Sequence, residues 1–336
     1  MKNILNKINN LLSLTKEESY FFFKQLIDGK VSNCILKKAL YKMHIKGEKK
    51  TEMSGAIKAF LKQKKYFPKP KYLYADIVGT GGDRKNTINI STISAIVSSS
   101  CGLKIVKHCN NSITGTIGSA DLLNYLKIPI NISSNTSKYL LDKYNLCFLL
   151  ANKFYPSFKY FKKVRQELKI PTLFNLIAPL LNPSFPPLAL IGIYNKKFLL
   201  PIIEVCKELH YTRVILVNNN NTDEVTLDGT TTVVELNNGI INSYELTKKD
   251  FGIKDILIKT NFSLKKNKKN NLKIAKKILM GISNEKYEYT IAMNVALTLK
   301  LFGNEDLIKN TKYAMKIIKS GLPYLKIKTI SSIREK

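Results

Sequence analysis

The apolar residues Tyr20, Phe21, Phe23, Leu26 and Ile27 recur along one helix face, and Thr15-Lys-Glu-Glu18 ahead of them has the form of a capping box. The Thr15 hydroxyl is placed to accept from the backbone of residue 18 while the Glu18 carboxylate reaches back, so a helix is predicted to start there. Gly29 supplies the left-handed residue that ends it. Helical spacing resumes from Ser32 to His44 and from Thr51 to Tyr66, which makes residues 1 to about 66 a set of short helices. Pro68 and Pro70 follow as a stiff linker.

Beyond the linker the period changes. The apolar runs Tyr74–Val78, Lys104–Val106, Leu146–Leu150, Leu188–Ile193 and Val214–Val217 have the length of strands, and most stretches between them have helical spacing. That alternation predicts an α/β fold, a mostly parallel sheet covered by helices. Thr231–Glu235 and Ile240–Tyr244, joined through Asn237-Asn238-Gly239, read as a hairpin. From Asn267 to Ser320 the helical pattern returns, broken near Gly281 and Gly303.

Composition narrows the setting. With 336 residues and 44% hydrophobic content the chain fills one large domain or two modest ones. Its five cysteines, Cys34, Cys101, Cys109, Cys147 and Cys206, are odd in number and scattered, without a CxxC pair or a histidine cluster to complete a zinc site, which fits a reduced cytoplasm. The opening MKNILNKINNLLSL is too polar for a signal-peptide core, and no later apolar run approaches the ~20 residues that span a bilayer, so a soluble protein is expected. The formal net charge of +31 suits a polyanion. The excess is mostly lysine spread along the whole chain beside abundant Asn and Ile, a pattern of biased composition on solvated faces rather than of a nucleic-acid site. The clusters Lys62–Lys71 and Lys265–Lys269 remain weak anion sites.

Three segments carry chemistry. Asp76-Ile-Val78 runs into Gly79-Thr-Gly-Gly-Asp83, and Asn89-Ile90-Ser91-Thr92 then opens a helix. Glycines let backbone N–H groups converge on phosphate oxygens, and the helix N-terminus adds partial positive charge. Hydroxyls of Thr80, Ser91 and Thr92 are further donors, although three glycines by themselves make only a tight turn. Lys107, directly after a candidate strand, is placed to offset phosphate charge where open parallel sheets gather ligands. Adjacent His108 reads as a structural residue. Asp223-Glu224, past the strand Val214–Val217, offers the hard oxygen pair that suits a divalent cation such as magnesium bridging to phosphate, or else an ordinary acidic loop.

Taken together, these segments resemble the anthranilate phosphoribosyltransferases, in consistent order over nearly the whole chain. The shared motifs are DIVGTGGD and NIST, GSADLL at Gly118–Leu123, VRQEL at Val164–Leu168, TLFN at Thr172–Asn175, PLLNP at Pro179–Pro183, PPLALIG at Pro186–Gly192 and DEVTL at Asp223–Leu227, with LIDGKVS at Leu26–Ser32 like the family's helical start. The resemblance implies a homodimer whose subunits pair a small helical domain, residues 1–70 with a returning segment at about 163–185, with an α/β domain of residues 71–162 and 186–336. It implies that Gly79, Gly82, Asp83, Thr87, Asn89, Ile90, Ser91, Thr92, Lys107 and Ser119 bind phosphoribosyl pyrophosphate, and that Gly79, Asn110 and Arg165 bind anthranilate, Arg165 meeting its carboxylate. Ser91, Asp223 and Glu224 would hold magnesium, two ions per subunit. The amino group would displace pyrophosphate from C1 of the ribose without a general base, Lys107 and the metal stabilising the transition state.

Departures from the family pattern gather near this site. Cys109 replaces a glycine and Asn111 an arginine in KHGNRS; the family's SVSSKSG reads Ser112 to Gly118 with its lysine absent at Thr116 and a serine absent at Gly115. Tyr155 stands where a histidine lining the anthranilate pocket is usual, Pro171 replaces an arginine, Ala178 a glycine and Asn218 a histidine. Losing cations at Asn111, Thr116 and Pro171 predicts weaker binding of phosphoribosyl pyrophosphate, partly offset by lysines such as Lys85. A positive backbone dihedral at Cys109 would cost about 1–2 kcal/mol. Two other readings exist on the same architecture: a DNA-binding relative, which needs no magnesium carboxylates, and a pyrimidine nucleoside phosphorylase, whose KHS-type phosphate motif is missing.

Overall fold

Capping places the first helices. In the computed structural model, which describes residues 1–81, 88–110, 118–254 and 268–333, Thr15 Oγ1 accepts from Glu18 N at 3.2 Å and Glu18 Oε2 from Thr15 N at 2.9 Å. The helical region comprises α1 (Lys2–Asn9), α2 (Lys16–Ile27), α3 (Asn33–Lys46) and α4 (Lys50–Lys62). α4 ends four residues before the predicted Tyr66. The segment Gln63-Lys64-Lys65 has no apolar side chain to add to the buried face, and Lys65 N turns instead to Phe154 O at 2.9 Å. α2 and α4 cross closely at Gly55, where a Cβ would stand 2.4 Å from Lys16 O.

The remaining elements alternate as the apolar pattern predicts. They are β1 (Ala75–Gly79), α5 (Ile90–Ser100), β2 (Ile105–Cys109), α6 (Ser119–Tyr125), α7 (Ser134–Tyr144), β3 (Leu146–Leu150), α8 (Ala151–Phe154), α9 (Phe158–Leu168) and α10 (Leu173–Ile177). After these come β4 (Leu188–Gly192), α11 (Leu199–Glu208), β5 (Arg213–Asn219), β6 (Thr231–Asn237), β7 (Ile240–Leu246), α12 (Lys268–Leu279), α13 (Glu285–Leu301), α14 (Leu307–Lys319) and α15 (Leu322–Ser331). α15 lies beyond the predicted end of the helical pattern.

The strands form one sheet in the order β3-β2-β1-β4-β5-β6-β7. The first five are parallel, and β6 and β7 add an antiparallel hairpin that turns through Asn238 and Gly239, both at positive φ. Successive strands from β1 step one way to β2 and β3, while β4 starts on the other side of β1. The carboxyl ends of β1 and β4 therefore flank the topological switch point, where an open α/β sheet leaves a crevice. α9 and α10 pack back onto α3 and α4. Phe161 stacks on Phe174 at 4.9 Å, and Phe60 meets both edge-on, closing an aromatic core between these helices.

Candidate active site at the switch point

Gly79 and Gly192 lie side by side in register at the ends of β1 and β4. Both are kept bare by what sits above them. A Cβ on Gly79 would stand 2.5 Å from Asp223 Oδ2, and one on Gly192 1.5 Å from Asp223 O. The segment bearing Asp223 reaches this spot because β5 continues through Asn218 and Asn219, two residues beyond the predicted end of its apolar run. The turn that follows closes with Asn219 N to Thr222 O at 3.0 Å and Thr222 N to Asn219 O at 2.7 Å, its two central residues Asn220 and Asn221 at positive φ. Asn tolerates that conformation better than most side chains. The turn delivers Asp223 over the phosphate loop, where its Oδ2 accepts from Gly81 N at 2.6 Å, and Glu224 is buried beside it.

Thr80 is spent on holding the loop. Its N–H donates to Gly192 O at 2.9 Å, its Oγ1 accepts from Tyr194 N at 3.0 Å, and its carbonyl accepts from Asn175 Nδ2 at 3.2 Å. The loop residues Gly82, Asp83, Lys85 and Thr87, the later positions Asn111, Ser112, Gly115 and Thr116, and the lysines Lys265 and Lys266 lie outside the described residues. On the far side of the loop, Asn89 takes a left-handed conformation (φ 53°) and caps α5. Ile90 is buried, and Ser91 is half-buried one residue further. Thr92 is fully buried, and its Oγ1 has no hydrogen-bond partner among the described residues.

Lys107 joins these parts from beneath. It lies inside β2 rather than after it, 1% exposed, and its ammonium donates to Ile77 O and to Ser91 Oγ, the latter at 3.2 Å. Burial lowers its pKa, opposed by the negative charge of Asp76 and, further off, of Glu224 and Asp223. Asp76 belongs to the motif DIVGTGGD without standing out in it. Its carboxylate is fully enclosed and accepts from His108 N at 3.3 Å and Asn182 Nδ2 at 2.8 Å. Cys109 closes β2 in register with Leu150 and is not among the positive-φ residues. The strain that a positive φ at Cys109 would bring is therefore absent.

Two buried titrating groups here oppose each other. Burial pulls His108 from 6.5 down to about 4, so its contribution to stability is full above pH 6.5 and is lost as the pH falls toward 4. Burial lifts Asp76 from 3.8 to about 6 despite Lys107, so the folded state takes up a proton first and gains stability over nearly the same fall in pH. Asp76→Asn removes the gain and leaves the loss. Urea unfolding should show the variant losing about 2–3 kcal/mol more than the parent between pH 6.5 and pH 4; parallel pH profiles would contradict this balance.

Beside the phosphate loop opens a cleft of about 230 Å³ between α9, α10 and the end of β2. Phe158, Phe161, Phe174 and Leu181 make its apolar walls, and Asn110, Arg165, Lys159 and Lys162 line it as polar groups. Arg165 lies over the Phe174 ring at 5.7 Å, and burial brings its guanidinium down to about 10, still charged at neutral pH. The family motifs point to Asn110 and Arg165 but not to Lys159 and Lys162. Their i, i+3, i+6 spacing with Arg165 is the signal that places three cations on one helix face. Tyr155 is absent from the lining. It is 1% exposed and stacks on Phe158 at 5.1 Å, behind the cleft wall. Ser119 opens α6, near Asn110, whose carbonyl accepts from Ala120 N at 3.4 Å.

A glycine-rich loop, a buried lysine and a carboxylate pair meet at a switch point beside a cationic aromatic cleft, the arrangement of an enzyme acting on a phosphorylated sugar and an aromatic anion. Residues 2–63 match the helical bundle domain, and residues 71–324 the a/b domain, of a glycosyl transferase family. The chain is 51% identical over 335 residues to the anthranilate phosphoribosyltransferase of Buchnera aphidicola subsp. Diuraphis noxia, covering 99% of each sequence. Its fold is similar to that of the Thermus thermophilus enzyme of the same name, with a TM-score of 0.87, 27% identity and 98% of each chain covered. It is also similar to the Saccharomyces cerevisiae enzyme in complex with PRPP and Mg, with a TM-score of 0.84, 25% identity and 99% of each chain covered. The chain belongs to the anthranilate phosphoribosyltransferase family.

Proposed function

We propose that this chain transfers the phosphoribosyl group of phosphoribosyl pyrophosphate to the amino group of anthranilate, a step of tryptophan biosynthesis. The observation that carries the reading is the contact of Gly81 N with Asp223 Oδ2 at 2.6 Å, which brings the phosphate loop and the acidic turn together next to the Arg165 cleft. The amine nitrogen forms a bond to ribose C1 as the bond from C1 to the pyrophosphate oxygen breaks, and the nitrogen then releases a proton. The loop from Gly79 to Asp83, with Thr87 and the start of α5 at Asn89, Ile90, Ser91 and Thr92, receives the phosphates, together with Lys107 and Ser119. Lys107 has three donors, two of them committed to Ile77 O and Ser91 Oγ, and its charge favours the leaving group. Arg165 and Asn110 orient the arylamine, with Gly79 leaving room for both substrates. The apolar walls exclude water and leave the amine as the nucleophile.

Magnesium fits the donor set. Asp223, Glu224 and the Ser91 hydroxyl are hard oxygens, and the described residues contain no group of three or more His, Cys, Asp or Glu that would enclose an ion. A site with few protein ligands completed by substrate phosphate is the usual magnesium arrangement, and we assign two ions per subunit. When bound, magnesium neutralises charge that builds on the departing pyrophosphate.

The small domain of residues 1–70 takes the returning segment 163–185, consistent with α9 and α10 packing on α3 and α4. Leu11, Leu12, Phe21, Ile35, Tyr41 and Ile45 are exposed in the helical region, which supports a homodimer joined there, a state that sedimentation velocity reads directly. No helix among the described residues is long and apolar enough to cross a membrane, and the five cysteines are unpaired, in keeping with work in the cytoplasm.

The test follows loss of anthranilate fluorescence with phosphoribosyl pyrophosphate and magnesium present. Arg165→Ala should raise KM for anthranilate about 100-fold by removing a charge-assisted carboxylate contact, with a far smaller rise in KM for phosphoribosyl pyrophosphate. No consumption of anthranilate by the parent protein would overturn the reading.

A further inference from the structure

Asn175 commits the two ends of its amide to different halves of the site. Its Oδ1 accepts from Arg165 Nη2 at 3.2 Å and from Thr172 N at 3.1 Å, while its Nδ2 donates to Thr80 O at 3.2 Å. This orientation is fixed by its neighbours, because the reverse would set the NH2 group against two donors. Beyond Thr80 the connection runs on, since the next residue, Gly81, donates to Asp223 Oδ2 at 2.6 Å. A continuous line of hydrogen bonds thus joins the arylamine cleft to the phosphate loop and its carboxylate. Arg165 and Asn175 belong to the segment packed on the helical region, whereas Thr80 directly follows β1 at the edge of the loop.

A cap for the short helix α10 requires only the Oδ1 contact. An aspartate would cap Thr172 N and pair with Arg165 at least as well, but it has no donor and would turn an anionic oxygen toward Thr80 O. The side-chain amide is required only if the bond to Thr80 matters. Fixing Arg165 on a carboxylate restricts Asn175, and fixing Asn175 restricts the loop, so each ligand removes part of the ordering cost of the other.

We propose that Asn175 is a positioning residue through which an arylcarboxylate at Arg165 and pyrophosphate on the loop strengthen each other's binding. This rests on the substrate positions proposed above. Calorimetric titration with magnesium phosphoribosyl pyrophosphate, with and without benzoate, measures the coupling without turnover, because benzoate lacks the nucleophilic amine. In the parent each ligand should bind about 5-fold tighter in the presence of the other, the lower end of typical coupling. In Asn175→Asp the factor should fall to about 1 while the melting temperature stays near the parent value. Should that variant fail to fold, Asn175→Ala, which removes both contacts, decides the matter by the same loss of coupling. Independent binding in the parent, or coupling retained in the folded variant, overturns the proposal. If Arg165→Ala leaves benzoate affinity unchanged, it is the substrate position itself that falls.

Discussion

Replacing Asp223 by Asn and Glu224 by Gln together is expected to lower kcat/KM by about 10³-fold, the scale at which charge stabilisation of a transition state is lost. The pair of changes isolates charge from shape. Asn retains an oxygen for the 2.6 Å contact with Gly81 N, so the loop keeps its anchor, and Gln keeps the volume of Glu224 in its buried position. What disappears is the negative charge that is proposed to hold magnesium and that Lys107 senses from beneath. Activity should no longer rise with added magnesium, and the melting temperature should stay close to that of the parent. Parent-like rates in the folded double variant would remove the metal assignment and leave Lys107 as the principal source of charge stabilisation.

The frame of this site was legible in the sequence because strands and turns leave short, local signals. Leu146–Leu150 coincides with β3, and the hairpin is legible from Asn237-Asn238-Gly239, although β6 and β7 each run two residues beyond their expected ends, since an Asn-Gly turn is set by backbone conformation rather than by distant partners. Positions whose role depends on tertiary neighbours were not legible. Tyr155 occupies a family pocket position in sequence, but stacking on Phe158 draws it behind the wall. Cys109 would be strained only at a positive φ, and β2 holds it in register with Leu150 outside that region. Asn175 and Asp76 were visible as letters of motifs, yet their work lies in hydrogen bonds to residues 95 and 106 positions away, which no local pattern encodes. The charge of +31, which on composition alone suits a polyanion, left its clearest trace locally, in Lys159, Lys162 and Arg165 at the mouth of the cleft.

Gly192→Ala should harm stability and catalysis together, and comparison with Gly79→Ala shows why. Neither glycine is at positive φ, so the constraint at both is space rather than backbone freedom. On Gly79 the added methyl would stand 2.5 Å from Asp223 Oδ2, the movable end of a side chain, which can rotate away while giving up its hold on Gly81. On Gly192 it would stand 1.5 Å from the Asp223 carbonyl oxygen and 2.3 Å from the carbonyl carbon, and backbone pinned by the tight turn after β5 has nowhere to rotate. Either β4 must shift against β1, to which it is paired along its whole length, or the acidic turn must lift off the sheet. Overpacking of this kind costs about 3 kcal/mol. Urea unfolding should therefore separate the two variants, with Gly79→Ala within about 1 kcal/mol of the parent on the scale of a single lost contact. Both should lose about 10²-fold or more in kcat/KM, because each displaces the carboxylate that faces the phosphate loop. A fully stable and active Gly192→Ala protein would mean that the acidic turn does not rest on the sheet where β1 and β4 end.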